Sequence, residues 1–177
     1  MNEVISYSEA QRAADAVYNR GGSLTLPVGW QLDTSFAVNG ELTGASGVYA
    51  YALKPIGTAD GRRILAFRGT EFPNARDLYA DAANIGKTQF QNAQSDVNSW
   101  LAQQLVDGNR VELVGHSLGG ALVQWAINDT NKAQILNIAT IPGDSTTKPT
   151  AAQFENQLHF TTFNAPGISY VAGLTAT

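Results

Sequence analysis

Gly115-His116-Ser117-Leu118-Gly119-Gly120 is the stretch on which the fold turns. It follows an apolar run (Val111, Leu113, Val114) and opens a run with helical apolar spacing (Ala121, Leu122, Trp125, Ala126). A Gly-x-Ser-x-Gly pattern between a strand and a helix reads as a nucleophile elbow. The flanking glycines remove side chains that would clash where strand and helix cross. The serine hydroxyl is thereby lifted clear of the backbone. The amide N–H of Leu118 and the positive end of the helix then point at any negative charge forming beside it. The plain alternative is a glycine-rich turn whose serine merely caps the helix, since a chain with 17 glycines meets the short pattern easily. The strand before and the helix after favour the elbow.

Upstream, Ser6-Tyr7-Ser8-Glu9 has capping-box spacing, and Ala10, Ala13, Ala14 and Val17 recur on one helical face, predicting a helix packed on a sheet. Asn39-Gly40 marks a turn. Gly47 to Leu53 and Arg63 to Phe67 read as two strands of a hairpin across Asp60-Gly61. Glu71 to Phe90 reads as a polar stretch around a short helical segment. Helical spacing returns from Ala93 through Val97, Trp100, Leu101 and Leu105, so the elbow strand is reached by a helical crossover. Beyond the elbow helix, the island Ile135, Leu136, Ile138, Ile141 is ambiguous between helix and strand. Phe154 falls in a short helix and Leu158 to Phe163 in a buried strand that Asn164-Ala165-Pro166-Gly167 ends. The strand and helix alternation predicts a mostly parallel sheet with helices on its faces.

Three landmarks in this order, Ala66-Phe67-Arg68-Gly69-Thr70, Gly115 to Gly120, and Thr162-Phe163-Asn164-Ala165-Pro166-Gly167, resemble the class 3 lipases and their bacterial relatives, over roughly residues 4–170. The resemblance implies an α/β-hydrolase and a serine carboxylic-ester hydrolase acting on acylglycerol or phospholipid esters. Ser117 would be the nucleophile, and the N–H groups of Leu118 and Thr70, with the Thr70 hydroxyl, the oxyanion hole. No cofactor and no metal are implied. The stretch from Glu71 to Gln89 takes the family's lid position, with a solvated loop as the alternative. Asp81 takes a structural position, with Arg68 as its expected partner.

A serine hydroxyl is a poor nucleophile until a histidine takes its proton and a carboxylate holds that histidine. In the resembled family the triad aspartate and histidine follow well beyond the position of Asn164-Ala165-Pro166-Gly167. Here 60 residues follow Ser117 (177 − 117), and after Gly167 there is neither an acid nor a histidine. The chain is therefore expected to be one incomplete lipase-like domain over residues 1–177, whose open sheet edge pairs with another copy. Asp144 and His159 follow Ser117 in the right order, but His159 starts the strand whose far end carries Asn164, about 16 Å below the catalytic rim. His116 is expected to pack beside the elbow and Asp129 to be a solvated acid. The alternative function is a catalytically incomplete hydrolase-fold module that binds an acyl chain or a partner protein. Acyl transfer by the same serine is a further rival.

The totals are those of a globular chain rather than a disordered or fibrous one: 44% hydrophobic and 15% charged residues over a one-domain length. A net charge of −4 argues against nucleic acid as a partner and leaves only transient contact with a lipid surface. With no cysteine there is no disulfide and no thiolate nucleophile, and two histidines offer little for a zinc site. No run approaches 18 apolar residues, and Met1-Asn2-Glu3 lacks the positive start of a secretory signal. A soluble chain is expected, with the Asn, Gln and Thr bias of an exported bacterial protein.

Overall fold

The structure is a computed structural model. It describes residues 5–17, 25–43, 48–57, 61–69, 75–141 and 147–165, with the side chains of 75–85 left aside. The first helix, α1 (Tyr7–Ala16), begins as the sequence predicts: Ser6 Oγ accepts the Glu9 N–H at 3.3 Å, and Glu9 Oε2 accepts the Ser6 N–H at 2.9 Å. Two amide groups that the helix cannot satisfy internally are thus satisfied reciprocally.

Six strands form one sheet: β1 (Trp30–Leu32), β2 (Glu41–Thr43), β3 (Tyr49–Pro55), β4 (Arg62–Arg68), β5 (Arg110–His116) and β6 (Leu158–Phe163). Asn39 and Gly40 both take positive φ (54° and 89°), as a primed two-residue turn requires, between the bridged residues Val38 and Glu41. β3 and β4 pair antiparallel with Ala50 opposite Phe67, as the hairpin reading predicts. The sheet is mixed, however. β1 and β2 both run antiparallel to β3, and only β4, β5 and β6 are parallel. The expectation of a mostly parallel sheet therefore holds for the half that carries Ser117. The N-terminal half departs from it because only five residues separate β2 from β3 and six separate β3 from β4, too few for the crossover that a parallel pair needs.

Between β4 and β5 runs α2 (Ala75–Val106), followed after β5 by α3 (Leu118–Ile127), α4 (Asp129–Ile138) and α5 (Ala151–Gln157). The residues from Ala75 to Gln89, expected as a lid or solvated loop around a short helix, belong instead to this single 32-residue helix. From Ala75 the sequence contains no proline and is rich in Ala, Gln and Leu, so it propagates as helix although its first turns lack an apolar stripe. Residues 71–74 and the side chains of Asp77 and Asp81 lie outside the described residues, so the expected Asp81 partnership does too. Arg68 lies over the Tyr49 ring, 5.4 Å from its centroid. Ile135, Leu136 and Ile138 of the ambiguous island fall in α4, which buries Ile135, and Ile141 lies beyond its end. Asp129 opens α4 and is exposed.

Successive residues of β4 face opposite sides of the sheet. Leu65 and Phe67 pack with Phe90, Val97 and Leu101 of α2 and Leu122 of α3, while Ile64 and Ala66 pack with Ala10, Ala13 and Ala14 of α1. Burying a leucine or phenylalanine side chain fully contributes about 1.5–3 kcal/mol. β4, apolar on both faces and paired on both edges, is therefore the strand least able to move. No described helix is long and apolar enough to cross a membrane.

One buried acid went unread in the sequence. Glu112 sits mid-strand in β5, only 6% exposed, and its Oε1 accepts the Thr161 hydroxyl at 2.7 Å. Burial pushes its carboxyl above the usual range, and the Thr161 hydrogen bond and the nearby His159 offset this only in part. The folded chain thus holds this proton to higher pH than the unfolded chain does. The resulting stability is present below the ordinary glutamate value and is lost as pH rises through the raised one. Glu112→Gln keeps an acceptor for Thr161 and removes the penalty. It is expected to melt above the parent at neutral pH, with the difference vanishing near about pH 4. Thermal melts across that range check it, and equal melting at pH 7 would mean that solvent reaches Glu112.

Candidate active site

The three sequence landmarks, far apart in the chain, meet at the carboxyl ends of the parallel strands. Register pairs Phe67 with Gly115 and His116 with Phe163, so Arg68-Gly69, His116-Ser117 and Phe163-Asn164 form one rim. This is where ligands bind in open α/β sheets, because side chains and helix N-termini converge there without disturbing the core.

Ser117 occupies φ 53°, ψ −124°, a conformation rare for any residue but glycine. Holding a non-glycine residue there costs about 1–3 kcal/mol and needs surroundings that over-determine it. Those surroundings are glycine contacts. A Cβ on Gly115 would stand 2.3 Å from the Gly119 carbonyl oxygen. One on Gly119 would stand 2.3 Å from the Phe67 oxygen and 3.0 Å from the Gly69 nitrogen, and one on Gly120 would meet the Ala165 Cβ at 2.4 Å. The backbone of α3 is thus pressed directly onto the ends of β4 and β5. The Ser117 N–H donates to the Phe163 oxygen at 2.9 Å, and the Ser117 oxygen accepts the Gly120 N–H at 2.9 Å, fixing the turn from both sides.

Ser117 is half-buried, and its side chain makes no capping hydrogen bond to α3. This separates the elbow from the capped glycine-rich turn, in which the hydroxyl would be spent on a helix N–H. Leu118 is fully buried, and as the first residue of α3 its N–H has no acceptor within the helix. An oxyanion beside Ser117 would also meet the positive end of a ten-residue helix.

The strain predicts its own relief. Ser117→Gly is expected to stabilise the fold by about 1 kcal/mol, the relieved strain less the added chain entropy of glycine. For a chain of this size that is a rise of about 2–4 °C in Tm. An unchanged or lower melting point would put Ser117 in an ordinary backbone conformation.

Not every expected residue joins this rim. Thr70 and Asp144 lie outside the described residues, although Gly69, the neighbour of Thr70, is buried against Gly119. His159 is exposed, pairs in register with Glu112 at the opposite end of the strands, and its Nε2 lies 3.2 Å from the Asn156 oxygen. Five strand residues separate that level from Ser117, about 16 Å. His159 is therefore not brought to the serine, and the Ser117–Asp144–His159 triad that chain order allows is not assembled. His116 is half-buried beside the elbow.

Comparison of the chain with known protein families, with curated proteins and with solved structures finds no match.

Proposed function

We propose that the chain is a serine carboxylic-ester hydrolase of the α/β-hydrolase type, acting on acylglycerol or phospholipid esters. The observation that carries this reading is the strained Ser117 with its hydroxyl unspent at the head of α3. In the reaction Ser117 Oγ attacks the ester carbonyl carbon while a base takes its proton. The carbonyl oxygen becomes an oxyanion held by the Leu118 N–H, joined by Thr70 in the role its place in the motif suggests. Collapse expels the alcohol, and water then releases the acyl group. An apolar acyl chain is suited to this rim, because the Phe163 ring meets the Tyr7 ring edge-on at 5.3 Å and Tyr7 is 67% exposed.

The remote position of His159 favours a second reading, a hydrolase-fold module that binds an acyl chain or a partner protein without turning it over. A fluorescent alkyl phosphonate separates the two. The hydrolase reading expects stoichiometric labelling that Ser117→Ala abolishes. A folded chain that stays unlabelled supports the binding module.

A further inference from the structure

We propose a second site, independent of Ser117: a groove along α2 and α4 that binds a neutral oligosaccharide. Three adjoining clefts make it. The first, about 430 Å³, lies where α2, α3 and α4 meet and is lined by Phe90, Trp125, Gln94 and Gln134 among others. The second, also about 430 Å³, shares Gln91, Gln94 and Gln134 with the first and extends to Ser99 and Asn137. The third, about 220 Å³, shares Ser99 and ends at Gln103 and Thr140. Together they follow α2 from Lys87 to Val106, about 28 Å of helix at 1.5 Å per residue. That suits an extended chain rather than a compact molecule.

The lining chemistry selects the ligand. The first two clefts are lined mostly by amides and hydroxyls, groups that donate and accept at once, as sugar hydroxyls do, and the third adds Ala102, Val106, Ile138 and Ala139. Among the described residues no carboxylate lines any of the three clefts. The one cation among them is Lys87, whose ammonium already lies 5.6 Å from the centre of the Trp125 ring. A polyanion would demand several cations. An amphipathic helix would demand an apolar stripe along the whole groove, where the first two clefts offer mainly glutamine and asparagine. At one end of the groove the partly exposed Trp125 adds an apolar contact beside the polar wall.

The polar lining is also pre-organised. Gln94 Nε2 donates to Asn131 Oδ1 and to Gln134 Oε1, both at 2.8 Å. Behind it the buried Asn98 and Asn131 exchange amide hydrogen bonds at 2.8 and 2.9 Å, and Asn131 Nδ2 also donates to the Ala126 oxygen at 2.7 Å. Side chains fixed in this way lose little freedom when a ligand arrives. Trp125 Nε1 is buried beside Gly86 of α2, with no acceptor among the described residues.

The test is calorimetric titration of the full chain with neutral hexasaccharides: α-1,4-glucan, β-1,4-glucan, β-1,4-xylan and β-1,4-linked N-acetylglucosamine. Saturable binding of at least one is expected. Gln91 and Gln134 are exposed, so the double variant Gln91→Ala/Gln134→Ala should keep the parent melting point while binding at least about tenfold more weakly, a loss of about 1.4 kcal/mol. Ser117→Ala should leave binding unchanged. Absence of binding by every hexasaccharide up to about 10 mM would overturn the proposal, as would binding that the double variant retains or that only a charged polysaccharide shows. None of these outcomes bears on ester hydrolysis.

Discussion

Gly119→Ala is expected to abolish the stable fold. The new methyl would stand 2.3 Å from the Phe67 carbonyl oxygen and 3.0 Å from the Gly69 nitrogen. Both are backbone atoms, so no side chain can rotate away. Nor can β4 retreat, because it is bonded to β3 on one side and to β5 on the other. The strain must fall on α3, which would have to lift from the sheet and draw Leu122, Val123 and Ala126 out of the main core. Losses above about 4 kcal/mol mark such cases, against a total stability of about 5–15 kcal/mol. Gly29→Ala is the control: its φ is +87°, but nothing lies within 4 Å of the added carbon. Only the backbone term applies there, about 1–2 kcal/mol. Soluble yield and circular-dichroism melts of the two variants give the answer. If Gly119→Ala melts as well as Gly29→Ala, α3 does not touch β4 as described.

Ser117→Ala is expected to lower hydrolysis of nitrophenyl butyrate at least about a thousandfold, since removing a nucleophile typically leaves only the contribution of binding and the oxyanion hole. The alanine inherits the same unusual φ and ψ, so the melting point should change little, and lost turnover can be assigned to the hydroxyl. The parent protein must be assayed well above any trace contaminant. Equal rates in parent and variant would give the chemistry to another group or to an impurity. Two silent but folded proteins would leave the binding module as the better account.

What the sequence revealed were features encoded by a few neighbouring residues. The Ser6–Glu9 box, the Asn39-Gly40 turn, the β3–β4 hairpin, the β6 strand and the elbow each depend on local backbone preference or on strict alternation, and each is legible without knowing the rest of the chain. The first half of α2 was not. Its early turns are polar, and Gly86 interrupts them. The gap opposite Gly86, 3.4 Å from the Ala121 Cβ, exists only once α3 has docked. The α4 helix was ambiguous because it buries little besides Asn131 and Ile135, and the burial of Asn131 depends on an amide partner 33 positions earlier in the chain, at Asn98. Glu112 was overlooked because an acid within Val111-Glu112-Leu113-Val114 reads as the solvent side of a strand, whereas Thr161, 49 positions onward, makes it an inside one. At the rim the serine and its amide donor could be read from the motif. The distance to His159 followed from counting residues along a single strand.

The elbow draws on parts that synthesis delivers at very different times. Phe67 and Gly69 leave the ribosome early, Gly115 to Gly120 later, and the Phe163 carbonyl that holds the Ser117 N–H later still. The antiparallel strands before them can pair through short loops, but the serine turn is complete only when β6 has closed over β5. Contacts of such long sequence separation form late in folding. The strained conformation of Ser117 is therefore a property of the finished molecule, and a chain caught partway through folding carries the motif without it.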